Sequence, residues 1–285
     1  MKKFFLAALA LVIASAALHS KSKVVTDSLY SEILGCYRAY DVCLPDGYAK
    51  NPDKSYPVLY LLHGSGGNNH SWVKLGHVNE VLDYLVAAGE CEPMIVIMPT
   101  ANDDMQRARR GYFNCPEWRY EDYFFKELMP CVEGRYSIKA DKSSRAVAGL
   151  SMGGGGAVAY AQKHPELFCA VYAMSAFVRV CKSRPITDDM KNKVNLMRIS
   201  ARENDCVTFV EKACDSVKSQ LKTVSWFVDC GDDDHLFEVN MEFVLSMKDA
   251  GIPVQLRVRE GGHKWEYWRT ALHICLPYLT RQFGR

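Results

Sequence analysis

Arg145-Ala146-Val147-Ala148 leads into Gly149-Leu150-Ser151-Met152-Gly153, and Gly154-Gly155-Gly156 leads on into Ala157-Val158-Ala159-Tyr160-Ala161-Gln162. The first four residues read as a short buried strand and the last six as a helix, so Gly-x-Ser-x-Gly sits at a strand-to-helix turn. That context gives the motif chemical meaning. A sharp turn lifts a serine hydroxyl above a sheet, and only glycine lets neighbouring backbone pass so closely. The helix that follows aims its first amides at negative charge developing beside the serine. Ser151 is therefore the candidate nucleophile.

Outward from this stretch, continuous apolar runs alternate with helical patterns. Val58–Leu62 follows Pro57, and Met94–Met98 ends at Pro99. Both are short and uniformly apolar, as in buried central strands. Earlier strands fit Asp27–Leu34 and Tyr37–Leu44; later ones fit Arg145–Gly149, Ala170–Met174, Trp226–Cys230 and Val254–Val258. Helices fit Val78–Ala88, Glu121–Val132, Gly153–Lys163, Phe237–Ala250 and Glu266–Phe283, with Pro277 expected to kink or end the last. The alternation predicts an α/β fold, a central and mostly parallel sheet flanked by helices on both faces. Two stretches are long and irregular. Thr100–Trp118 carries Arg107, Arg109 and Arg110, then Tyr112, Phe113 and Trp118. Residues 175–223 separate two strands by far more than an ordinary loop, which predicts a partly helical lid or binding insertion. With no repeat or linker, residues 21–285 read as one domain.

A serine nucleophile needs a base, and the base needs an orienting carboxylate. Where the serine sits on such a turn, the partners follow in the order Ser, acid, His. Of eight histidines, His263 and His273 lie late in the chain. His263 stands in Gly261-Gly262-His263, just past the last strand, whereas His273 falls inside a helical pattern and reads as a packing or surface residue. The acid belongs at the exit of Trp226-Phe227-Val228-Asp229-Cys230-Gly231, where Asp232, Asp233 and Asp234 stand in a row. Spacing does not choose among the three, since aspartates also cap helices. His235 adjoins Asp234, but sequence neighbours rarely meet in triad geometry. Two amides should converge on the oxyanion: that of Met152, directly after the nucleophile, and that of Ser65, in His63-Gly64-Ser65-Gly66-Gly67. His63, at the strand end before this glycine turn, reads as its support.

Composition excludes several classes. The chain is 48% hydrophobic and 24% charged, ordinary for a globular protein, and its net charge of +2 offers no basic stripe for nucleic acid. Lys2 and Lys3 precede an apolar run from Phe4 to Leu18, which predicts a signal peptide over residues 1–20 and a secreted or periplasmic protein. That run is shorter than the ~20 residues of a membrane span. Eleven cysteines is an odd number, so a monomer keeps at least one thiol unpaired. Cys169 and Cys230 lie in apolar runs and read as small hydrophobes. No Cys/His cluster has zinc spacing, so neither a metal nor an organic cofactor is expected.

At these residues the chain resembles the esterase D and feruloyl esterase branch of the α/β hydrolases, which also includes S-formylglutathione hydrolases and mycolyltransferases. The marks are Leu61-Leu62-His63-Gly64, Tyr120-Glu121-Asp122 with Glu127-Leu128, Gly149-Leu150-Ser151-Met152-Gly153-Gly154, Cys230-Gly231-x-x-Asp234, and Gly261-Gly262-His263-x-Trp265-x-x-Trp268-Arg269. They extend from about Val24 to the C-terminus. The resemblance implies the α/β-hydrolase fold and selects Asp234 as the acid. It also marks a departure, since His235 stands where such proteins usually carry an aromatic residue. It further implies ester hydrolysis through an acyl-enzyme, on a small-molecule or polysaccharide ester. Because exported members often resemble feruloyl or acetylxylan esterases, plant cell-wall esters are the expected substrates. Acyl transfer to a sugar, or thioester hydrolysis as in S-formylglutathione hydrolases, is the alternative. Trp265, Tyr112 and Trp118 could offer flat surfaces to an aromatic acid or a sugar; Trp265 and Trp268 could equally pin the histidine loop.

Overall fold

The computed structural model describes residues 22–101, 110–181 and 193–285. The expected leader at 1–20, and Arg107 and Arg109, lie outside them. Eight strands form one sheet: β1 (Lys23–Ser31), β2 (Cys36–Leu44), β3 (Val58–Leu62), β4 (Ile95–Pro99), β5 (Arg145–Leu150), β6 (Ala170–Met174), β7 (Ser225–Gly231) and β8 (Val254–Arg259). Their order across the sheet is β1-β2-β4-β3-β5-β6-β7-β8. The β1–β2 and β2–β4 pairs are antiparallel, and every pair from β4 to β8 is parallel.

The uniform apolarity of the central strands follows from cover on both faces. In β3 the side chains alternate across the sheet. Val58, Tyr60 and Leu62 face the core beneath α2 (Met152–Lys163), while Leu59 and Leu61 face the core beneath α1 (Val78–Ala87). A helix Phe237–Asp249 shares the first face, and a helix Trp265–Thr280 shares the second. The expected elements are present with shifted ends. β1 starts at Lys23, and the helix predicted from Glu121 begins at Tyr120, widens to a π-turn at Phe124–Leu128 and runs on to Arg135. Pro277 lies inside the last helix without ending it, since the bond it deletes falls in the final turn.

The region 175–223 is partly helical where described, with helices Lys193–Glu203, Cys206–Glu211 and Asp215–Leu221. All eleven cysteines lie in the described residues and none is joined to another. Cys169 and Cys230 are buried, and burial pushes the Cys169 thiol up to about 12, away from reactivity. Among the described residues, no helix is long and apolar enough to cross a membrane.

Candidate active site

Parallel strands end on the same edge, and their register decides what meets there. Leu62 pairs with Gly149, Leu150 with Met174, Met174 with Asp229, and Arg259 with Gly231. The segments leaving these five ends begin at His63, Ser151, Ser175, Asp232 and Glu260. Side-by-side carboxyl ends are where α/β sheets hold ligands.

Ser151 takes φ 53° and ψ −118°, a conformation costing a non-glycine residue ~1–3 kcal/mol. Neighbouring bonds impose it: its amide donates to the Met174 carbonyl at 2.9 Å, and its carbonyl accepts from the Phe177 amide at 2.8 Å. The four glycines that follow have a steric reason. A Cβ on Gly153 would stand 2.5 Å from the Leu62 carbonyl oxygen, and one on Gly155 would stand 2.2 Å from that of Phe177. Glycine weakens a helix by ~1 kcal/mol per residue, yet here it lets α2 settle onto the backbone of two loops.

Ser151 Oγ donates to His263 Nε2 at 2.9 Å. His263 Nδ1 stands 3.0 and 2.9 Å from the two Asp234 oxygens; a carboxylate only accepts, so the ring carries its proton on Nδ1. Asp234 is buried. Burial raises its carboxyl pKa, but bonds from His263, the Leu236 amide and Ser175 together hold it below the ordinary carboxylate value. Asp232 and Asp233 do other work: Asp232 Oδ1 accepts from the Gly261 amide at 3.0 Å, and the Asp233 amide donates to the Gly261 carbonyl. Both tie the acid loop to the histidine loop.

Ser175 was not singled out in the sequence. It is fully buried at φ 45°, accepts from Trp268 Nε1 at 3.0 Å, and hydrogen-bonds Asp234. Trp268 also sets its ring edge-on to His263, centroids 4.9 Å apart. No sequence pattern marks Ser175, because its role exists only once β6 lies beside β7.

The glycine turn Gly64–Gly67 faces Ser151 across a cleft of about 540 Å³, which Ser65 and Met152 line. Gly66 needs its φ of 80°, and the Gly67 amide closes the turn on the Gly64 carbonyl at 3.0 Å. His63 supports this turn as expected. Its Nδ1–H donates to the Gly64 carbonyl at 2.7 Å, and Nε2 accepts from the Ala101 amide at 3.0 Å. Burial holds its imidazole down at about 4, hence neutral.

The expected aromatic surfaces divide. Trp265 lines the cleft, held edge-on between Trp72 and Trp268. Tyr112 and Trp118 correct the expectation: both are buried outside the cleft lining. Tyr112 donates its hydroxyl to the His63 carbonyl, and Trp118 stacks on Tyr120 and donates to the Gly111 carbonyl. Their polar atoms are satisfied by backbone, so the rings serve the core. The cleft wall comes instead from the region after β6, through Phe177, Cys181 and Met197. His235 lies on the rim, its ring centroid 4.4 Å from that of His263.

Comparison with known proteins bears on the family and the fold. The model of a family described as "Esterase: Putative esterase" matches residues 31–279. The chain is 30% identical to the endo-1,4-beta-xylanase/feruloyl esterase of Xylanibacter ruminicola, over 92% of this chain and 32% of that one, so it spans under a third of that relative's length. It is 26% identical to the acetyl esterase of Caldicellulosiruptor saccharolyticus, over 79% of this chain and 83% of the other. A solved ferulic acid esterase superposes with a TM-score of 0.89 at 48% identity, over 93% of this chain and 100% of that one. The eight-stranded mixed sheet with helices on both faces is the α/β-hydrolase fold.

Proposed function

The chain belongs to this esterase family, and from that premise we propose that it is an exported serine hydrolase of carboxylic esters, working through an acyl-enzyme. The unbroken run of hydrogen bonds from Ser151 through His263 to Asp234 carries the reading. His263 Nε2 takes the Ser151 proton as Oγ attacks the ester carbonyl. Asp234 keeps the other proton on Nδ1 and stabilises the imidazolium. The Met152 and Ser65 amides receive the oxyanion, each worth ~3–4 kcal/mol to the transition state. The imidazolium then protonates the leaving alcohol. Water, deprotonated by His263, cleaves the acyl-serine and frees the acid.

Feruloyl or acetyl esters of plant cell-wall polysaccharide are the proposed substrates. The names of the relatives support this, as does a cleft whose wall includes Trp265, Phe177 and Met197. Residues 1–20 act as a leader and residues 21–285 as one catalytic unit. Ser151→Ala should cut turnover of methyl ferulate or nitrophenyl acetate by roughly four to six orders of magnitude with the melting temperature unchanged. Near-parental turnover in that variant would end the reading. Acetylated xylan assayed beside methyl ferulate separates the two acyl classes.

A further inference from the structure

Asp234, His235 and His263 each present a ligand atom within 4.8 Å of the other two. Asp234 Oδ1 stands 3.0 Å from His263 Nδ1 and 3.7 Å from His235 Nδ1. Around a tetrahedral zinc ion, with bonds of ~2.0–2.2 Å, ligand atoms lie ~3.3–3.6 Å apart. The two separations from Asp234 straddle that value and the two ring nitrogens lie within 4.8 Å of each other, so side-chain rotations would bring the three atoms to it. Two imidazoles and one carboxylate are also a donor set that suits zinc. Asp234 is enclosed, and the exposed ring among the three is that of His235, 44% accessible on the cleft, so the ion reaches the carboxylate from that side.

We propose that Asp234, His235 and His263 form a reversible inhibitory site for zinc, a regulation of the serine-hydrolase centre that rests on the function proposed above. The proton balance makes binding inhibitory. In the active arrangement the neutral His263 ring holds its proton on Nδ1 and offers the Nε2 lone pair to Ser151. Zinc takes the Nδ1 lone pair, so the same proton must reside on Nε2 and no net proton is released. Nε2 then no longer accepts from Ser151, and the nucleophile has no base. His235 is the residue that makes this possible. With an aromatic carbon ring in its place, only the Asp234–His263 pair would remain, and that pair is closed by its own hydrogen bond.

The test is a zinc chloride titration of nitrophenyl acetate hydrolysis, with each protein referred to its own metal-free rate. The parent should show saturable inhibition that a chelator reverses. In His235→Phe the half-inhibiting zinc concentration should rise at least ~10-fold, the lower end of what disturbing a metal site costs. Equal inhibition of both proteins, or none in the parent, would overturn the proposal. Calorimetry on Ser151→Ala should show one zinc bound per chain, weakened at least ~10-fold when His235→Phe is added. Because Ser151→Ala needs no activity, binding unaffected by the added substitution would refute the zinc site even if the chain proved to hydrolyse no ester. Loss of ester hydrolysis in the parent with zinc binding intact would refute the function instead.

Discussion

Two histidines stand at the same sheet edge and have opposite fates. His63 leaves β3 fully buried, with both ring nitrogens bound to backbone, at the Gly64 carbonyl and the Ala101 amide. His263 follows β8 with its side chain 22% exposed; one nitrogen is bound to a carboxylate, the other to a hydroxyl in the cleft. The residue type is the same, and each ring has one donor and one acceptor nitrogen. What separates support from chemistry is the partner. Backbone groups cannot take or give up a proton during turnover, whereas a serine hydroxyl can, and a buried carboxylate stabilises the charged ring that results.

The largest expected effect follows from that contrast. His263→Ala should lower turnover by about four orders of magnitude or more, while its denaturant midpoint stays close to the parental one. An assay of nitrophenyl acetate hydrolysis beside a urea titration reads both. A variant that kept activity but lost stability would reverse the comparison, making His263 the structural member.

His63 predicts the complementary result, an effect on folding. Burial keeps its pKa at about 4, against ~6.5 in the unfolded chain, so the folded state gains no proton where the unfolded state does. Its contribution is complete above about pH 6.5 and is lost as pH falls through about 4, to an extent of ~3 kcal/mol. Asp234, whose carboxyl is held below its ordinary value, adds stability that is present above that value and lost further into acid. Between pH 7 and pH 4.5 the parent should therefore lose more unfolding free energy than His63→Gln. Parallel losses in the two proteins would show that His63 is not the titrating group.

The sequence revealed the machinery where chemistry restricts residue choice at fixed spacing. The strand–turn–helix around Ser151, the glycine turn after β3 and the Gly-Gly-His after β8 are local, and each carries its own signature. The sheet was legible for a similar reason, since cover on both faces forces uniformly apolar strands. Asp234 was harder. Three aspartates share one exit loop, and local spacing does not tell the partner of His263 from the two that tie the loops together; the family pattern made that choice. Tyr112 and Trp118 misled because an aromatic side chain reads alike whether it faces a ligand or a core, and here backbone carbonyls take their polar atoms. The wall formed by Phe177, Cys181 and Met197 had no motif, because it depends on how the segment after β6 folds back.

The smallest effect sharpens the comparison at its finest point, the support behind the catalytic pair. Trp268 Nε1 donates to Ser175 Oγ, and Ser175 in turn hydrogen-bonds Asp234. Trp268→Phe keeps an aromatic ring against His263 and removes that donor. Ser175 stays buried, so the loss costs ~1 kcal/mol or somewhat more, which is about five- to tenfold in rate if it is felt when the imidazolium forms. The fall should appear in kcat; Trp268 also lines the cleft, so an unchanged KM is expected of Ser175→Ala, which leaves the lining intact. Ser175→Ala should lower kcat by a similar factor, and the double variant should lose little more than either single one, since both break the same chain. If the two losses multiplied instead, Trp268 and Ser175 would act on His263 and Asp234 separately, by packing on one side and hydrogen bonding on the other.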